Sequence, residues 1–361
     1  MLKVGINLTW LRPGEVGGSE EYLTRLLAGL VNQNSIEPTL YVLEPFVLAY
    51  PQLATAFRTV EAPVSGANRF RRVASEQSWL ATRMARDGVD VAFHAGGTMP
   101  VRPGFNPALL VHDVQYLTYP RNFSRVKLAY LKAQIPRGVS QANMVMAPTR
   151  YVIDRLSGAF GLDPNRAAVV PHPIDAPPTQ AVPFDVDRPV ILYPAITYPH
   201  KNHVTLVRAL AVMRNEATLV LTGGSASSEN AITAEVERFG LGDRVKRLGR
   251  VPVAELERWW ATASVMACPS LYEGFGAPLV EAMVRKVPVA ASRAAAIPEV
   301  VGDAAVLVDP LDVGAWAAAL DRIIDGQGTE LAERGQVRAK AFTTEAVTPQ
   351  LVQALVACRN R

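Results

Sequence analysis

The 361-residue sequence has only two cysteines, Cys268 and Cys358, which are too few for a disulfide framework. It also has no run approaching the roughly 18 uninterrupted apolar residues that a membrane-spanning helix needs. The first residues, MLKVGINLTW, read as a buried strand and lack the basic region and apolar core of a secretory signal. These absences favour a protein of a reducing cytoplasm.

Signatures of metal and nucleic-acid binding are missing as well. The sequence contains no HExxH, no CxxC and no clustered carboxylate triad, so neither a metal nor another cofactor is expected. No nucleic-acid-binding module is recognisable, and aromatic residues do not alternate with basic ones. The glycine pair Gly17–Gly18 is not part of a GxGxxG fingerprint, and no P-loop lysine follows it.

Positive charge is concentrated in the first half of the chain. Residues 1–182 hold 18 Lys and Arg against 13 Asp and Glu. Basic, partly amphipathic helices of this kind can lie on an anionic membrane surface, although a solvated helical face is the more common explanation. The basic residues form two runs: Arg69, Arg71, Arg72, Arg83 and Arg86, and then Arg121, Arg125, Lys127, Lys132 and Arg137.

Short β-rich apolar runs alternate with helical patterns along almost the whole chain. This alternation predicts parallel sheets covered by helices, an α/β architecture. The proline-rich stretch 171–189 interrupts it. We therefore predict a first doubly wound domain over 1–175, a linker over 176–189 and a second domain over 190–361, whose last helix is a candidate to pack back on the first. The cleft between two such domains is the expected ligand site.

The segment CPSLYEGFGAPLVEAM, residues 268–283, carries the strongest signal of chemistry. It predicts a strand, a glycine turn and a helix with Pro278 near its start. The amides of Gly274 and Gly276 and the helix dipole suit an anion such as a diphosphate. Glu273 and Glu281 would repel a phosphate, whereas carboxylates suit the hydroxyls of a ribose or a hexose. Read alone, Glu281 is more often simply a favourable charge near a helix start, and Glu273 in the turn could likewise cap the helix.

In its spacing this segment resembles the signature of glycosyltransferase family 4, whose pattern is E-x7-E. Members of that family have the GT-B fold of two Rossmann-like domains and retain the anomeric configuration of the transferred sugar. The resemblance implies that Glu281 binds the ribose of a nucleotide sugar and that Glu273 orients the transferred sugar during catalysis. It also implies that the backbone of Gly274, Phe275, Gly276 and Ala277 holds the sugar and the diphosphate.

The rest of the second half follows the same family in order. YPAITYPHKNHVTLVRAL, residues 193–210, makes Lys201 the lysine that neutralises the donor diphosphate. LVLTGG places Gly223 in a loop near the nucleotide, and Arg250 and Val251 would border the base. One feature departs from the family. Members often carry an arginine a few residues before the lysine, but 195–200 reads AITYPH, so His200, Arg250, or Lys201 with the helix amides must suffice.

The first half is similar to the family at three places. Gly17–Gly18 matches a GG-x-E loop that faces the donor phosphate, before a helix that we expect Ser19 to cap. His94 ends a predicted strand and would lie near the transferred sugar as a catalytic residue. His112–Asp113 would lie on the acceptor side. Isolated histidines are otherwise usually structural residues.

The resemblance implies a retaining hexosyltransferase, with mannosyl as the favoured group. The donor would be a nucleoside diphosphate sugar and the acceptor a saccharide or a lipid-linked saccharide, in surface polysaccharide or glycolipid synthesis at the inner face of the membrane. Two alternatives stay open at this point. One is another GT-B sugar-nucleotide enzyme, an epimerase or a phosphorylase. The other is an inactive protein that only binds nucleotide sugars.

Overall fold

The computed structural model describes residues 1–15 and 17–360, except for the side chain of Arg69, so that member of the predicted basic run lies outside the described residues. The chain divides into two compact units. Unit 1 comprises Met1–Pro173 and Thr343–Arg361, and unit 2 comprises Ile174–Phe342. Residues 343–361 thus group with the first unit, and the proline-rich residues 176–189 group with the second. The predicted boundaries at 175 and 190 differ from this division.

Each unit is built on one parallel sheet. The strands of unit 1 are β1 (Leu2–Asn7), β2 (Ile36–Val42), β3 (Arg58–Glu61), β4 (Val91–His94), β5 (Ala108–Leu110), β6 (Met144–Ala147) and β7 (Ala167–Val169). The strands of unit 2 are β8 (Val190–Pro194), β9 (Thr218–Thr222), β10 (Val245–Gly249), β11 (Val265–Cys268), β12 (Val289–Ser292) and β13 (Ala305–Val308).

Helices follow most of the strands. They are α1 (Gly18–Leu30), α2 (Glu44–Ala49), α3 (Pro51–Ala56), α4 (Arg69–Ser75), α5 (Ala81–Arg86), α6 (Gln115–Thr118), α7 (Arg125–Gln141), α8 (Arg150–Phe160), α9 (His203–Val212), α10 (Glu229–Arg238), α11 (Val253–Thr262), α12 (Ala277–Val284), α13 (Ile297–Val301), α14 (Val313–Arg322), α15 (Gly328–Ala339) and α16 (Thr344–Arg359). Short 3₁₀ turns lie at Pro120–Asn122, Pro164–Arg166, Pro199–Lys201 and Lys340–Phe342, and π-helical turns at Glu76–Leu80 and Ile323–Gln327.

The strand order gives each sheet one topological switch point. It is β3-β2-β1-β4-β5-β6-β7 in unit 1 and β10-β9-β8-β11-β12-β13 in unit 2, with every pair parallel. The order reverses direction at β1/β4 and at β8/β11. Ligands of such sheets bind beyond the carboxyl ends of the strands at these points. The predicted α/β class, with two doubly wound parallel-sheet domains, is confirmed.

The sheets are parallel because apolar runs, buried on both faces, alternate with helices. Strands β4, β5, β6, β9, β11 and β12 are buried at every residue. Strand β3 lies at the sheet edge and has the short, polar sequence RTVE, of which only Val60 is buried. This strand has too few apolar residues for the sequence periodicity to predict it, and the sequence analysis missed it.

Helix α16 is part of unit 1. Its residues Leu351 and Leu355 are buried in the core of that unit with the leucines of α1. Helix α1 packs close to α16 because Gly29 of α1 has no side chain. A Cβ at this position would overlap with the side chain of Thr348 on α16.

Candidate functional site

The switch point of unit 2 brings two loops together. The β8–α9 loop, residues 195–202, carries Lys201, and the β11–α12 loop, residues 269–276, carries Glu273. A backbone hydrogen bond joins these loops, since the Leu271 amide donates to the carbonyl of His200 at 2.7 Å. Helices α9 and α12 begin directly after the loops, so the free amides of two helix starts lie at the same sheet edge.

Lys201 and Glu273 form an ion pair. The Nζ of Lys201 lies 2.7 Å from Oε1 of Glu273, and their side chains are only 20% and 13% exposed. Burial by itself would raise the pKa of the Glu273 carboxyl, but the charge and hydrogen bond of Lys201, with a further hydrogen bond from Ser270, lower it below its ordinary value. The carboxylate is therefore ionised at neutral pH. The two residues were predicted from sequence as separate contacts, and their direct pairing is a finding of the structure.

Asn202 positions the loop that carries Lys201. Its backbone is left-handed, with φ 56° and ψ 37°, a region that Asn and Gly tolerate best. Its side-chain amide donates to the carbonyls of Pro269 at 3.1 Å and Pro310 at 2.7 Å, which ties together the loops after β8, β11 and β13. Sequence reasoning did not single out Asn202. An Asn directly before a predicted helix was the available signal, because Asn tolerates a positive φ.

A buried hydroxyl network supports the same loops. The Tyr193 hydroxyl donates to the carbonyl of Lys201 at 3.0 Å and lies 2.8 Å from Oγ of Ser270. Ser292 donates in turn to the Ser270 carbonyl. Burial raises the pKa of the Tyr193 phenol well above its ordinary value, so this hydroxyl keeps its proton. Sequence reasoning missed these residues, because a Tyr or Ser at a strand end does not by itself reveal its partner.

The glycine turn of the E-x7-E segment presents backbone, not side chains. Gly276 has a φ of 88° and directly precedes α12. The Phe275 ring is buried and packs edge-on against Phe342, with ring centroids 5.4 Å apart. Phe275 can therefore meet a ligand only through its main chain. Glu281 lies on the second turn of α12 with a half-buried side chain, and its carbonyl accepts a hydrogen bond from Arg285 at 2.8 Å.

The ends of β8, β9 and β10 form a continuous edge beside this turn. Gly223, with a φ of 122°, lets the backbone after β9 lie against the backbone after β8, because a Cβ at this position would lie 2.7 Å from the carbonyl carbon and oxygen of Ala195. A pocket of about 370 Å³ opens here, lined by residues that include Thr197, Thr222, Glu229 and Arg247. Arg250 and Val251 follow β10, and Arg250 is exposed.

His200 is uncharged at neutral pH. Burial and the adjacent Lys201 lower the pKa of its imidazole to about 4, although Glu273 acts in the opposite direction. Its ring stacks on Tyr198 with centroids 5.8 Å apart. In this arrangement His200 does not supply the positive charge of the arginine that 195–200 lacks.

In unit 1 the glycine pair begins α1. Gly17, with φ 75° and ψ −140°, is the N-cap, and Gly18 is the first helical residue. The expectation that Ser19 caps the helix is wrong, since it lies inside the first turn and no side chain caps the helix start. Glu20 instead holds the preceding loop, accepting hydrogen bonds from the Gly14 amide at 2.9 and 3.0 Å.

His94 ends β4, as predicted, but it is fully buried within unit 1. Its Nε2 donates to the Pro103 carbonyl at 2.7 Å, and its Nδ1 lies 3.2 Å from the side-chain amide of Asn7. That amide also donates to Glu76 at 2.7 Å. Burial lowers the pKa of His94 to about 4. A contact between His94 and a sugar would require one of these bonds to break.

His112 and Asp113 follow β5. Nε2 of His112 donates to the carbonyl of Ala95 at 2.8 Å, and the ring meets the edge of Tyr22 with centroids 5.6 Å apart. Burial lowers the pKa of His112, so its imidazole is neutral. Asp113 is exposed, and its carboxylate accepts the Gln115 amide at 2.9 Å.

Within residues 1–15 and 17–360, no three His, Cys, Asp or Glu residues are grouped so as to hold a metal ion. None of the helices in these same ranges combines the length and the apolar character needed to cross a bilayer.

The fold and the arrangement at the β8/β11 switch point define a class, the GT-B glycosyltransferases. Residues 16–176 match the family described as Glycosyltransferase Family 4, and residues 188–326 match Glycosyl transferases group 1. Sucrose-phosphate synthase of Thermosynechococcus elongatus has a similar structure, with a TM-score of 0.78, 20% identity and 98% of both chains covered. Anabaena HepE, solved in complex with UDP and glucose, superposes with a TM-score of 0.73 at 19% identity, over 99% of this chain and 100% of HepE.

Curated relatives agree with this class. O-antigen chain mannosyltransferase B of Escherichia coli is 29% identical over 259 residues, 67% of this chain and 68% of its own. MMP α-(1→4)-mannosyltransferase of Mycolicibacterium hassiacum is 34% identical over 200 residues, 54% of this chain and 49% of its own. The matches thus span about half to two thirds of these relatives. The chain belongs to the glycosyltransferases of family 4 and group 1, and it is a glycosyltransferase with the GT-B fold, as the sequence indicated.

Proposed function

We propose that the protein is a retaining hexosyltransferase. It transfers a sugar, with mannose favoured, from a nucleoside diphosphate donor to a hydroxyl of a saccharide or a lipid-linked saccharide. The observation that carries the proposal is the largely buried ion pair of Lys201 and Glu273 at the β8/β11 switch point, between the starts of α9 and α12.

The arrangement suits a departing diphosphate. Negative charge develops on that group as the sugar leaves, and preorganised cations and amides stabilise it without reorganising. Lys201 supplies the cation, and the backbone from Gly274 to Ala277 supplies amides at the start of α12. In this proposal no metal is needed. The predicted position of Gly17 and Gly18 of unit 1, facing the donor phosphate, remains a prediction.

Glu273 is suited to a sugar hydroxyl. Lys201 keeps its carboxylate ionised, and an ionised carboxylate only accepts hydrogen bonds, which matches a hydroxyl donor. Glu281 has the corresponding role toward the ribose. We propose that the acceptor attacks the anomeric carbon from the side of the leaving group, and that the departing phosphate takes the acceptor proton. That geometry retains the anomeric configuration. The sugar contact of His94 and the acceptor contacts of His112 and Asp113 remain predictions.

GDP-mannose is the preferred donor, because two relatives are named as mannosyltransferases. HepE, solved with UDP-glucose, makes a UDP-sugar the first alternative. A thermal-shift series with UDP-, GDP- and dTDP-sugars discriminates between them, since a ligand that binds the folded state raises the melting temperature. Stabilisation by GDP-mannose alone is expected. An equal or larger shift with a UDP-sugar would contradict the proposed donor.

The proposed acceptor belongs to surface polysaccharide or glycolipid synthesis at the inner face of a membrane. Phe70 on α4 is 88% exposed and Val126 on α7 is 76% exposed, each beside basic residues of its helix. Such surfaces suit peripheral binding to anionic lipid. Binding to vesicles that contain anionic lipid, with loss in a Phe70→Ser variant and at high salt, is expected. Equal binding to neutral vesicles would contradict this part.

Transfer and donor hydrolysis test the enzymatic role directly. The wild type is expected to transfer sugar with retention and, without acceptor, to release free sugar slowly. A Glu273→Gln variant keeps the shape of the side chain and removes its charge, so it should lose most transfer while still binding the nucleoside diphosphate. Undiminished turnover of this variant would exclude the proposed role of Glu273. Donor binding with neither transfer nor hydrolysis in the wild type would favour an inactive binding protein, and conversion of the donor to an epimer would favour an epimerase.

A further inference from the structure

The ion pair at the switch point leaves a diphosphate incompletely neutralised. Lys201 and Glu273 carry opposite charges 2.7 Å apart, so together they contribute no net charge. Each phosphate of a nucleoside diphosphate sugar is ionised, and the neutral His200 adds nothing. If this edge binds such a donor, as proposed above, a second cation is needed nearby.

Arg250 is placed to supply it. Its guanidinium lies over Gly224, in the loop after β9. A Cβ built on Gly224 would be 3.3 Å from Nε and 3.7 Å from Nη2 of Arg250, and 3.7 Å from Cγ1 of Ile196. The guanidinium can occupy this position because Gly224 has no side chain. Ile196, which approaches the same point, belongs to the segment 195–200 where family members often carry an arginine.

The backbone connects this place to the loop of Lys201. The Gly223 amide donates to the Gly249 carbonyl at 2.8 Å, and the Thr197 amide donates to the Gly224 carbonyl at 3.1 Å. The loops after β8, β9 and β10 are therefore held side by side, and the first of them carries Lys201. Arg250, which directly follows Gly249, therefore belongs to the same sheet edge as the ion pair.

The charge of Arg250 is not used by the protein itself. It is exposed and has no hydrogen-bond or ion-pair partner among residues 1–15 and 17–360. Arg247, on the same strand end, differs in this respect, because it lies 3.4 Å from Glu229 and donates to Thr233 at 2.7 Å. An arginine without an internal partner, held over a glycine, is available to an anionic ligand.

We propose that Arg250 is the second cation for the donor diphosphate and that it replaces, from β10, the arginine that the loop after β8 lacks. This inference rests on the proposed nucleotide-sugar donor. The sequence left two roles open for Arg250, a place beside the base and compensation for the missing arginine, and the inference selects the second. Contact with the diphosphate and contact with the base predict different binding data.

The test compares Arg250→Ala with the wild type in calorimetric titrations of GDP, GMP and guanosine, and of UDP, UMP and uridine. The loss of a hydrogen-bonded charge contact is expected to weaken binding of the nucleoside diphosphate about 10- to 100-fold, with a smaller effect on the monophosphate and none on the nucleoside. The difference between variant and wild type should shrink at high salt. Arg250→Lys should retain part of the affinity.

Two outcomes would overturn the inference: unchanged affinity for the diphosphate in Arg250→Ala, or an equal loss for diphosphate and nucleoside, which would place Arg250 on the base. Arg238→Ala, an exposed arginine on α10, is the matched control and should leave all affinities unchanged. Lys201→Ala separates this inference from the proposed function. If Lys201→Ala abolishes diphosphate binding and Arg250→Ala does not weaken it, only the inference fails. If the wild type binds no nucleoside diphosphate, the proposed donor fails and the inference with it.

Discussion

The ion pair of Lys201 and Glu273 predicts an unusual pH dependence of stability when one partner is removed. In a Lys201→Met variant, the Glu273 carboxylate would stay buried without its cation. Removing one partner of a buried ion pair destabilises a protein by roughly 3–5 kcal/mol. The carboxyl can avoid part of this penalty by taking up a proton, however. The free energy of protonation therefore sets an upper limit on the cost of leaving the carboxylate buried without its cation.

The limit follows from the ordinary carboxyl pKa. Protonating a group of pKa about 4.3 requires about 3.7 kcal/mol at pH 7 but only about 1 kcal/mol at pH 5. In the wild type, the lowered pKa of Glu273 contributes stability above the ordinary carboxyl pKa, and this is lost as the pH falls through the folded-state value. In the variant, burial is left unopposed and raises the pKa, so stability falls as the pH rises. We expect Lys201→Met to lose about 3 kcal/mol at pH 7 and about 2 kcal/mol less than that at pH 5.

Urea unfolding at the two pH values measures this difference. Trp259, Trp260 and Trp316 lie in unit 2, so tryptophan fluorescence reports on the unit that holds the pair once Trp10 and Trp79 of unit 1 are replaced by Phe. Adding Glu273→Gln to Lys201→Met should restore most of the stability at pH 7 without restoring transfer. The reasoning would be refuted if the destabilisation were the same at pH 5 and pH 7, or if the second substitution did not relieve it.

Three further predictions concern residues that shape the two units. Asn202→Ala should be about 1–2 kcal/mol less stable than Asn202→Gly in urea unfolding, because only Gly adopts the left-handed backbone without strain; equal stabilities would contradict this. Gly223→Ala should lower the melting temperature and weaken nucleotide binding, because its Cβ would overlap with the backbone of Ala195, whereas Gly158→Ala, a helical position with open space around it, should stabilise slightly. The pKa of His94 lies at about 4 in the folded protein, so the unfolded chain binds this proton first as the pH falls, and stability should decrease from about pH 6.5 to about pH 4. His94→Asn should reduce this slope of stability against pH by up to about 1.4 kcal/mol per pH unit. An unchanged slope would show that His94 is not its source.

Sequence patterns predict the parts of this protein that depend on local periodicity and motif order. Buried apolar runs separated by helical patterns predict parallel sheets, and both sheets are parallel throughout. The short polar strand β3 escaped, because its pairing at the edge depends on its neighbour β2 and not on its own apolar content. Ser19 was misread as a cap, because a glycine with a positive φ can begin a helix without a side-chain cap.

The candidate site divides in the same way. The amino-acid sequence by itself determined that Lys201 and Glu273 lie in loops between a strand and a helix, in the order of a family pattern. The spacing of charged residues around such strand–turn–helix segments can be read directly from the sequence. Only the tertiary structure decided that the two are paired, that Asn202 ties three loops together and that both nitrogens of His94 are bonded inside unit 1. It also decided that Arg250 lies over Gly224 beside Ile196. These relations join residues far apart in the chain, and the order of the strands alone brings them within a few ångströms.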